Sequence, residues 1–549
     1  MSLSSLAKNK RITVFFVSSL IGALVFLLIY GPFVLNPVYD DWIFETGERD
    51  LIQHYLGFCT YRSSPWQFPI GLVTTASYPH DMSVIYTDAI PLFAFFGKML
   101  NPLLPRVFQY MGIYGFISFA LMGGIGASII YELTGKEKES VLSSLFYVLS
   151  WTVVYRMFYH TSLASQWLVL LAIYIWLTCD PGKNTIKNCV IYFVLSCVSI
   201  LIHPYLWAMC GGIIIMSLAE YLIRTKKIVR ALIYGADYCV TGLLALYVFG
   251  AFSGGVGAKL DVGEYEANMN TFYNSMNMGL LPGFSVALYQ YEGFGYLGAG
   301  VLFLGVCAVM LMLIKKKIPH ISLRRVMFVI TAVCFTVFSI IPEISFNDKI
   351  LLNIKLDKVS DYIVGIFRSN GRFIWPVCFI LLTGLLVYMI RNMKSRQIIL
   401  LLSFCVIIQA VDMMPFIKEK HRLFARSDYE HVGLLDNIKE VNDVIDNYKH
   451  IIMDIDDGSI DQGITYYAYL HGLTTNDFYY ARPIENKVQD TLEALRNDMS
   501  GGRYDEGLLY LLGEDKLPLY KSFDLNFYEI DGRYLASYDP IPGLEKINK

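Results

Sequence analysis

A polytopic helical membrane protein with a small soluble α/β tail is the fold class that this sequence predicts, and three observations predict it. Hydrophobic residues fill 55% of the 549 positions against 17% charged, and mean hydropathy is +0.46, too apolar for an ordinary soluble domain. Apolar runs long enough to cross about 30 Å of hydrocarbon as helix recur through the first three quarters of the chain. After Phe416 the pattern turns to charged stretches alternating with short apolar runs, the signature of a small α/β domain. The expected organisation is a mainly α transmembrane domain over residues 1–416 and a soluble extracytoplasmic α/β domain over residues 417–549.

The apolar runs predict about eleven spans, at 12–35, 107–133, 140–158, 162–179, 188–202, 204–223, 231–252, 296–314, 326–341, 372–390 and 397–416. The first is too long for a signal peptide and lacks a small-residue cleavage site after it. The pair flanking His203-Pro204 reads as two spans or as one kinked element. Basic residues set the orientation, because Lys and Arg in short loops are retained in the cytoplasm. With the N-terminus inside, every inner loop is basic, from Lys8, Lys10 and Arg11 to Arg391, Lys394 and Arg396. That arrangement predicts a cell-membrane protein with its C-terminal domain outside.

Three outer segments, 36–106, 253–295 and 342–371, are too long for simple turns. Their aromatic, Gly and Pro content argues against disorder, and residues 90–104 read as an amphipathic helix in the outer interface, where Trp42 and Trp66 also belong. In the tail, 428–448 has the apolar spacing of a helix, 450–454 that of a buried strand, 463–482 reads as a second helix-strand repeat, and 527–530 with 534–537 around Asp531-Gly532 reads as a hairpin. Cysteines from Cys179 to Cys405 lie within or beside apolar runs at irregular spacing, which suits small core residues rather than a zinc site or a disulfide framework. A net charge of -2 without a long basic run argues against nucleic acid as a partner; the lipid bilayer is the partner the composition demands.

Ionisable residues near a membrane are costly to place, so each is a candidate for function. Asp50, in Glu48-Arg49-Asp50-Leu51, is suited to take a proton from a hydroxyl; on spacing alone, capping or pairing of an interfacial helix is the commoner explanation. Asp40, Asp41 and Asp88 share that segment and read chemically as further acids and structurally as helix N-caps. His203 reads as a phosphate ligand, a proton carrier or a satisfied histidine at a helix break. Arg156 and His160 suit an anion or the interface. Arg368 and Arg372, around Ser369-Asn370-Gly371, suit a phosphate or lipid headgroups. Glu292, among Gly and aromatic residues, suits a sugar or a turn. Asp454-Ile455-Asp456-Asp457 resembles a metal-holding acidic run, although a strand end followed by an Asp-Gly turn explains the same letters. Asp237 and Asp412 read as polar residues near span ends.

Asp50-x-x-Gln53-His54-Tyr55-x-Gly57, Ser64-Pro65-Trp66-x-x-Pro69-x-Gly71, Tyr86-Thr87-Asp88-x-Ile90-Pro91-Leu92, Ile202-His203-Pro204-Tyr205-Leu206, Gln290-Tyr291-Glu292-Gly293-Phe294 and Phe367-Arg368-Ser369-x-Gly371-Arg372-Phe373 resemble a bacterial polytopic membrane family of uncharacterised function. That family in turn resembles, in layout, the GT-C glycosyltransferases. The resemblance implies a polyprenyl-phosphate-linked sugar as donor and an extracytoplasmic glycan or cell-wall polymer as acceptor. It implies Asp50 as the catalytic carboxylate that takes the acceptor's proton, where Arg49-Asp50-Leu51 replaces the Gly-Asp-Pro expected there. His54, Arg156, His160, His203, Glu292, Arg368 and Arg372 are then implied to bind the donor's phosphate and sugar. The sequence requires no metal site and leaves dependence on a divalent cation open. Two other classes compete: a transporter or flippase for a lipid-linked glycan, and a cell-envelope scaffold. Transporters show repeated halves and mid-membrane ionisable groups, whereas here polar residues crowd the outer loops.

Overall fold

A computed structural model describes residues 3–253, 264–287, 289–316, 321–456, 458–476, 478–481 and 487–547. Lys317, Asp457, Arg482 and the stretch 254–263 of the second long loop lie outside them. The chain divides into two compact units, one of Met1–Asn36, Tyr110–Gly242 and Lys259–Ser427, the other of Pro37–Gln109, Leu243–Ala258 and Asp428–Lys549.

Apolar helices dominate. Among the described residues, nine are long and apolar enough to cross a membrane: Asn9–Tyr30, Met111–Thr134, Thr161–Thr178, Thr185–Ile202, Pro204–Thr225, Ile228–Val248, Leu323–Ile340, Asn370–Asn392 and Ser395–Phe424. Ala299–Lys315 is apolar but shorter. Their number and length make the chain a membrane protein of many helices. The run expected as one span over 140–158 is divided into Glu137–Val148 and Trp151–Arg156. Ser150 leaves helical geometry at ψ 127° and begins the second piece, with its hydroxyl 3.0 Å from that of Thr152; serine hydroxyls that bond locally favour such an interruption. At the other ambiguous point the chain makes two helices. His203 is extended at φ -165°, and Pro204, which has no N–H to lose, opens the next helix.

In the first unit the N-terminal helix lies tightly on Met111–Thr134. A Cβ on Gly22 would strike the carbonyl of Phe119, and one on Gly123 the carbonyl of Ser18, so small residues set the approach of the two backbones. Asp412 is buried within Ser395–Phe424. Its carboxylate accepts from the Tyr296 hydroxyl (2.9 Å), the Ala299 amide (3.0 Å) and the Leu280 amide (3.1 Å). Gln409 Oε1 adds an acceptor for Gly300 N at 3.1 Å. Together they satisfy the orphan amides of the helix that starts at Ala299. The long loop 342–371 contains an antiparallel hairpin, Glu343–Phe346 with Lys349–Asn353, and a helix, Lys358–Ile366.

The second unit joins the first outer segment to the C-terminal region. Its tail holds a five-stranded sheet in the order Thr474–Thr475, His450–Asp454, Leu508–Leu512, Arg533–Ser537, Asn526–Ile530. The first three strands are parallel and the last two close an antiparallel hairpin. Alternation assigns Ile451, Met453, Leu509 and Leu511 to one face, under Ile464 and Tyr467, and Ile452, Leu508, Tyr510 and Leu512 to the other, under Leu492 and Met499. The helix expected over 428–448 is not formed: only Lys439–Asn442 is α-helical and Ile445–Asn447 is a 3-10 turn. Leu435, Val441 and Ile445 are buried as the spacing requires. Polar side chains divert the backbone between them, however, with Asp436 accepting from Gly433 N and Asn442 Nδ2 donating to Asp436 O. The amphipathic stretch 90–104 is a helix over Pro91–Met99 and a 3-10 turn over Asn101–Leu103.

Candidate functional site

The most concentrated buried charge lies in the first unit, where three segments far apart in sequence meet at Glu292. Arg156 ends the helix Trp151–Arg156, and the chain then turns so that His160 N donates to Arg156 O at 2.9 Å. Phe158 within that turn sits in the left-handed region at φ 60°, a conformation costly for a side chain of its size. It is held there by rings from Phe26, Tyr30 and Phe424. Glu292 belongs to the 3-10 turn Gln290–Gly293, and Arg372 to the turn Asn370–Ile374 that leads into Trp375–Asn392. A Cβ on Gly371 would strike the Tyr265 carbonyl, and one on Gly293 would strike Ala267; glycine at both positions lets the two turns close on residues 265–267.

Glu292 Oε2 accepts from Arg156 Nη2 at 2.8 Å and from Arg372 Nε at 2.7 Å, and His160 Nε2 stands 3.7 Å from Oε1. All but His160 are buried. Burial raises the Glu292 pKa, but Arg156, Arg372 and His160 outweigh it and hold the carboxyl well below its usual range. Two guanidinium groups thus share one carboxylate. Among the described residues Arg156 Nε and Nη1 are buried with no hydrogen-bond acceptor, and the Arg156 guanidinium lies 5.0 Å from the Tyr155 ring and 5.4 Å from that of Trp375. Donors so placed are suited to an oxyanion.

The neighbouring residues form a second tier. The Arg372 guanidinium lies 4.7 Å from the Tyr205 ring, and the Tyr205 hydroxyl accepts from Ser369 N at 2.8 Å. His203 Nδ1 accepts from Tyr205 N at 3.1 Å, so this histidine caps the helix it precedes, the structural alternative weighed for it above. Arg368 is exposed and stands 5.1 Å over Tyr265. Of the residues singled out from sequence, Arg156, His160, Glu292 and Arg372 are thus in direct contact, Tyr205 links His203 to Arg372, and Arg368 faces Tyr265.

The remaining candidates belong to the second unit. Asp50 is half-buried in the first turn of Arg49–Ser63, where an acid complements the helix dipole, and His54 is buried one turn on. Asp40 occupies the N-cap position of Asp41–Glu45 without making a cap bond. Its Oδ2 instead accepts from the hydroxyls of Tyr55 (2.7 Å) and Tyr466 (2.5 Å). Burial pushes its pKa up and those two hydrogen bonds pull it only part of the way back. Asp41 Oδ1 accepts from His431 N at 3.0 Å. The N-cap expectation for Asp88 is corrected: it is left-handed at φ 54° and closes the 3-10 turn Val84–Thr87, while Ile90 precedes the helix begun by Pro91. Asp454 accepts from Arg496 (2.9 Å) and Tyr520 (3.0 Å), which engages it structurally. Among the described residues no three His, Cys, Asp or Glu side chains gather in a metal-holding group. Sequence reasoning missed the roles of Tyr205, Tyr55 and Tyr466, because the spacing of a tyrosine within a helix does not tell which distant group its hydroxyl or ring meets.

The fold and the buried cluster define a multi-helix membrane protein whose charged centre lies in its loop segments, with a small mixed sheet at the C-terminus. The chain belongs to the family described as a domain of unknown function, DUF6311, whose pattern matches residues 19–414; the C-terminal domain of the same family matches residues 440–538. No curated protein matches the chain.

Proposed function

We propose that this protein is a GT-C type membrane glycosyltransferase that moves a sugar from a polyprenyl-phosphate-linked donor to an extracytoplasmic glycan or cell-envelope acceptor. The observation that carries the reading is the cluster of Arg156, Arg372 and His160 around Glu292, with two buried Arg156 donors that have no acceptor among the described residues. In this reading the donor's phosphate is bound by those guanidinium groups. As the acceptor hydroxyl attacks the anomeric carbon, the bond to the polyprenyl phosphate oxygen breaks, and the leaving group's charge is stabilised electrostatically in a site poor in water. Glu292 orients the two arginines and sets their spacing. The sequence resemblance assigns to Asp50, half-buried in the first turn of its helix, the task of taking the acceptor's proton. Asp40 is too deeply engaged with Tyr55 and Tyr466 for that task. The basic inner loops support a cell-membrane location with the N-terminus in the cytoplasm and the sheet domain outside.

The test is transfer by purified full-length protein from a panel of radiolabelled polyprenyl-phosphate sugars, with and without chelator. Wild type should label an acceptor with at least one donor, and Asp50→Asn should abolish labelling while keeping the wild-type melting temperature. A well-folded wild type inactive with every donor would instead support the scaffold, and flipping of a labelled lipid without transfer would support the transporter.

A further inference from the structure

The second unit contains a cavity of about 410 Å³ that the proposed reaction does not use. Its walls come from the end of the helix Arg49–Ser63, from the helix Pro91–Met99 and the turn after it, and from Gly472 and Leu473 at the edge of the sheet domain. The volume lies within the range of small-molecule sites. Three cations line it, Arg62, Lys98 and Arg106, and among the described residues no carboxylate does. Among the described residues none of the three makes an ion pair.

Each cation is held by neutral groups. Arg62 is buried, donating through Nε to Asn101 Oδ1 at 2.8 Å and through Nη1 to the Arg106 carbonyl at 3.3 Å. Lys98 is 3% exposed. Its ammonium donates to the Pro65 carbonyl at 3.2 Å and lies 4.2 Å from the Tyr61 ring and 4.8 Å from that of Trp66. The exposed Arg106 stacks 4.3 Å over Tyr469, whose hydroxyl donates to the Arg106 carbonyl. A buried ammonium without a counter-charge is expensive, and burial alone pulls the Lys98 pKa down to about 8. An anion in the cavity would relieve that penalty.

The chemistry beside the cavity indicates what carries the anion. On Pro91–Met99 and the following turn, Phe96, Met99, Leu100 and Leu103 are exposed, and Trp66 at the mouth is more than half exposed. An apolar stripe beside a cationic pocket has the pattern of an interfacial element that dips into acyl chains while a headgroup meets the charges. We propose that this cavity binds the phosphate of an anionic phospholipid headgroup, with Arg62, Lys98 and Arg106 as its ligands and the Pro91–Leu103 stripe lying among the lipid's acyl chains.

The experiment counts lipids retained by the delipidated full chain in native mass spectra after addition of phosphatidylglycerol or phosphatidylcholine, each challenged with inorganic phosphate. Wild type should retain phosphatidylglycerol over phosphatidylcholine by roughly tenfold, and excess inorganic phosphate should remove only part of it. Lys98→Met and Arg106→Gln, the second at an exposed position, should each erase most of the preference while keeping the melting temperature. Equal retention of the two lipids, or an intact preference in both variants, would overturn the site. Complete displacement by inorganic phosphate would overturn the lipid as its occupant.

Discussion

Glu292 in the first unit and Asp40 in the second are both buried carboxylates that accept two close hydrogen bonds, yet their environments push them in opposite directions. Around Glu292 the donors are guanidinium groups, and charge attraction overcomes desolvation. Around Asp40 the donors are the neutral hydroxyls of Tyr55 and Tyr466, and desolvation prevails. Burial therefore does not by itself mark a carboxylate as chemically poised; the charge of its partners decides. The Glu292 environment is an electrostatic device in which two arginines share one carboxylate, whereas Asp40 ties the first outer segment to the tail through Tyr466.

The largest effect tests the first half of that contrast. Glu292→Ala removes the buried carboxylate that Arg156 and Arg372 share and should cost about 3–5 kcal/mol, read as a lower melting temperature of the detergent-solubilised protein. A loss below about 1 kcal/mol would mean that the arginines find other acceptors. Next, Gly371→Ala forces a methyl group onto the Tyr265 carbonyl and should cost about 1–3 kcal/mol, with donor binding weakened as Arg372 shifts.

Acid sharpens the comparison. Because the folded Glu292 pKa lies far below its ordinary value of 4.5, its contribution to stability is complete above that value and is lost as pH falls from there toward the folded pKa. Asp40 has the opposite sign. Its folded pKa lies above 3.8, so its contribution is present below 3.8 and is lost as pH rises through the folded value. Asp40→Asn should therefore have the smallest effect near neutral pH, within about 1 kcal/mol, and melts as a function of pH should lose the decline that wild type shows. An unchanged pH profile in this variant would contradict the assignment.

Much of this was legible in the letters. Long apolar runs made the helices unmistakable, and the strand at His450–Asp454 and the Asp531-Gly532 hairpin followed from local pattern and turn chemistry. The break at Ser150 and the loss of the helix over 428–448 were not legible, because hydropathy measures burial and says little of hydroxyl and amide side chains competing for the backbone. At the site, the types of Arg156, His160, Glu292 and Arg372 identified them as costly near a membrane, but their convergence is a property of the fold. The cavity around Lys98 gave no signal at all: a lysine inside an apolar stretch reads as a polar-face residue until its burial is seen.

The central claim is that the cations around Glu292 receive a lipid-linked phosphate. It is tested most directly by equilibrium binding of a short-chain polyprenyl phosphate to full-length wild type, Arg372→Gln and Arg106→Gln, with melting temperatures measured alongside. The account predicts that Arg372→Gln loses affinity by roughly ten- to a hundredfold while Arg106→Gln, in the other unit, changes it little. Wild-type affinity in a folded Arg372→Gln protein would contradict it.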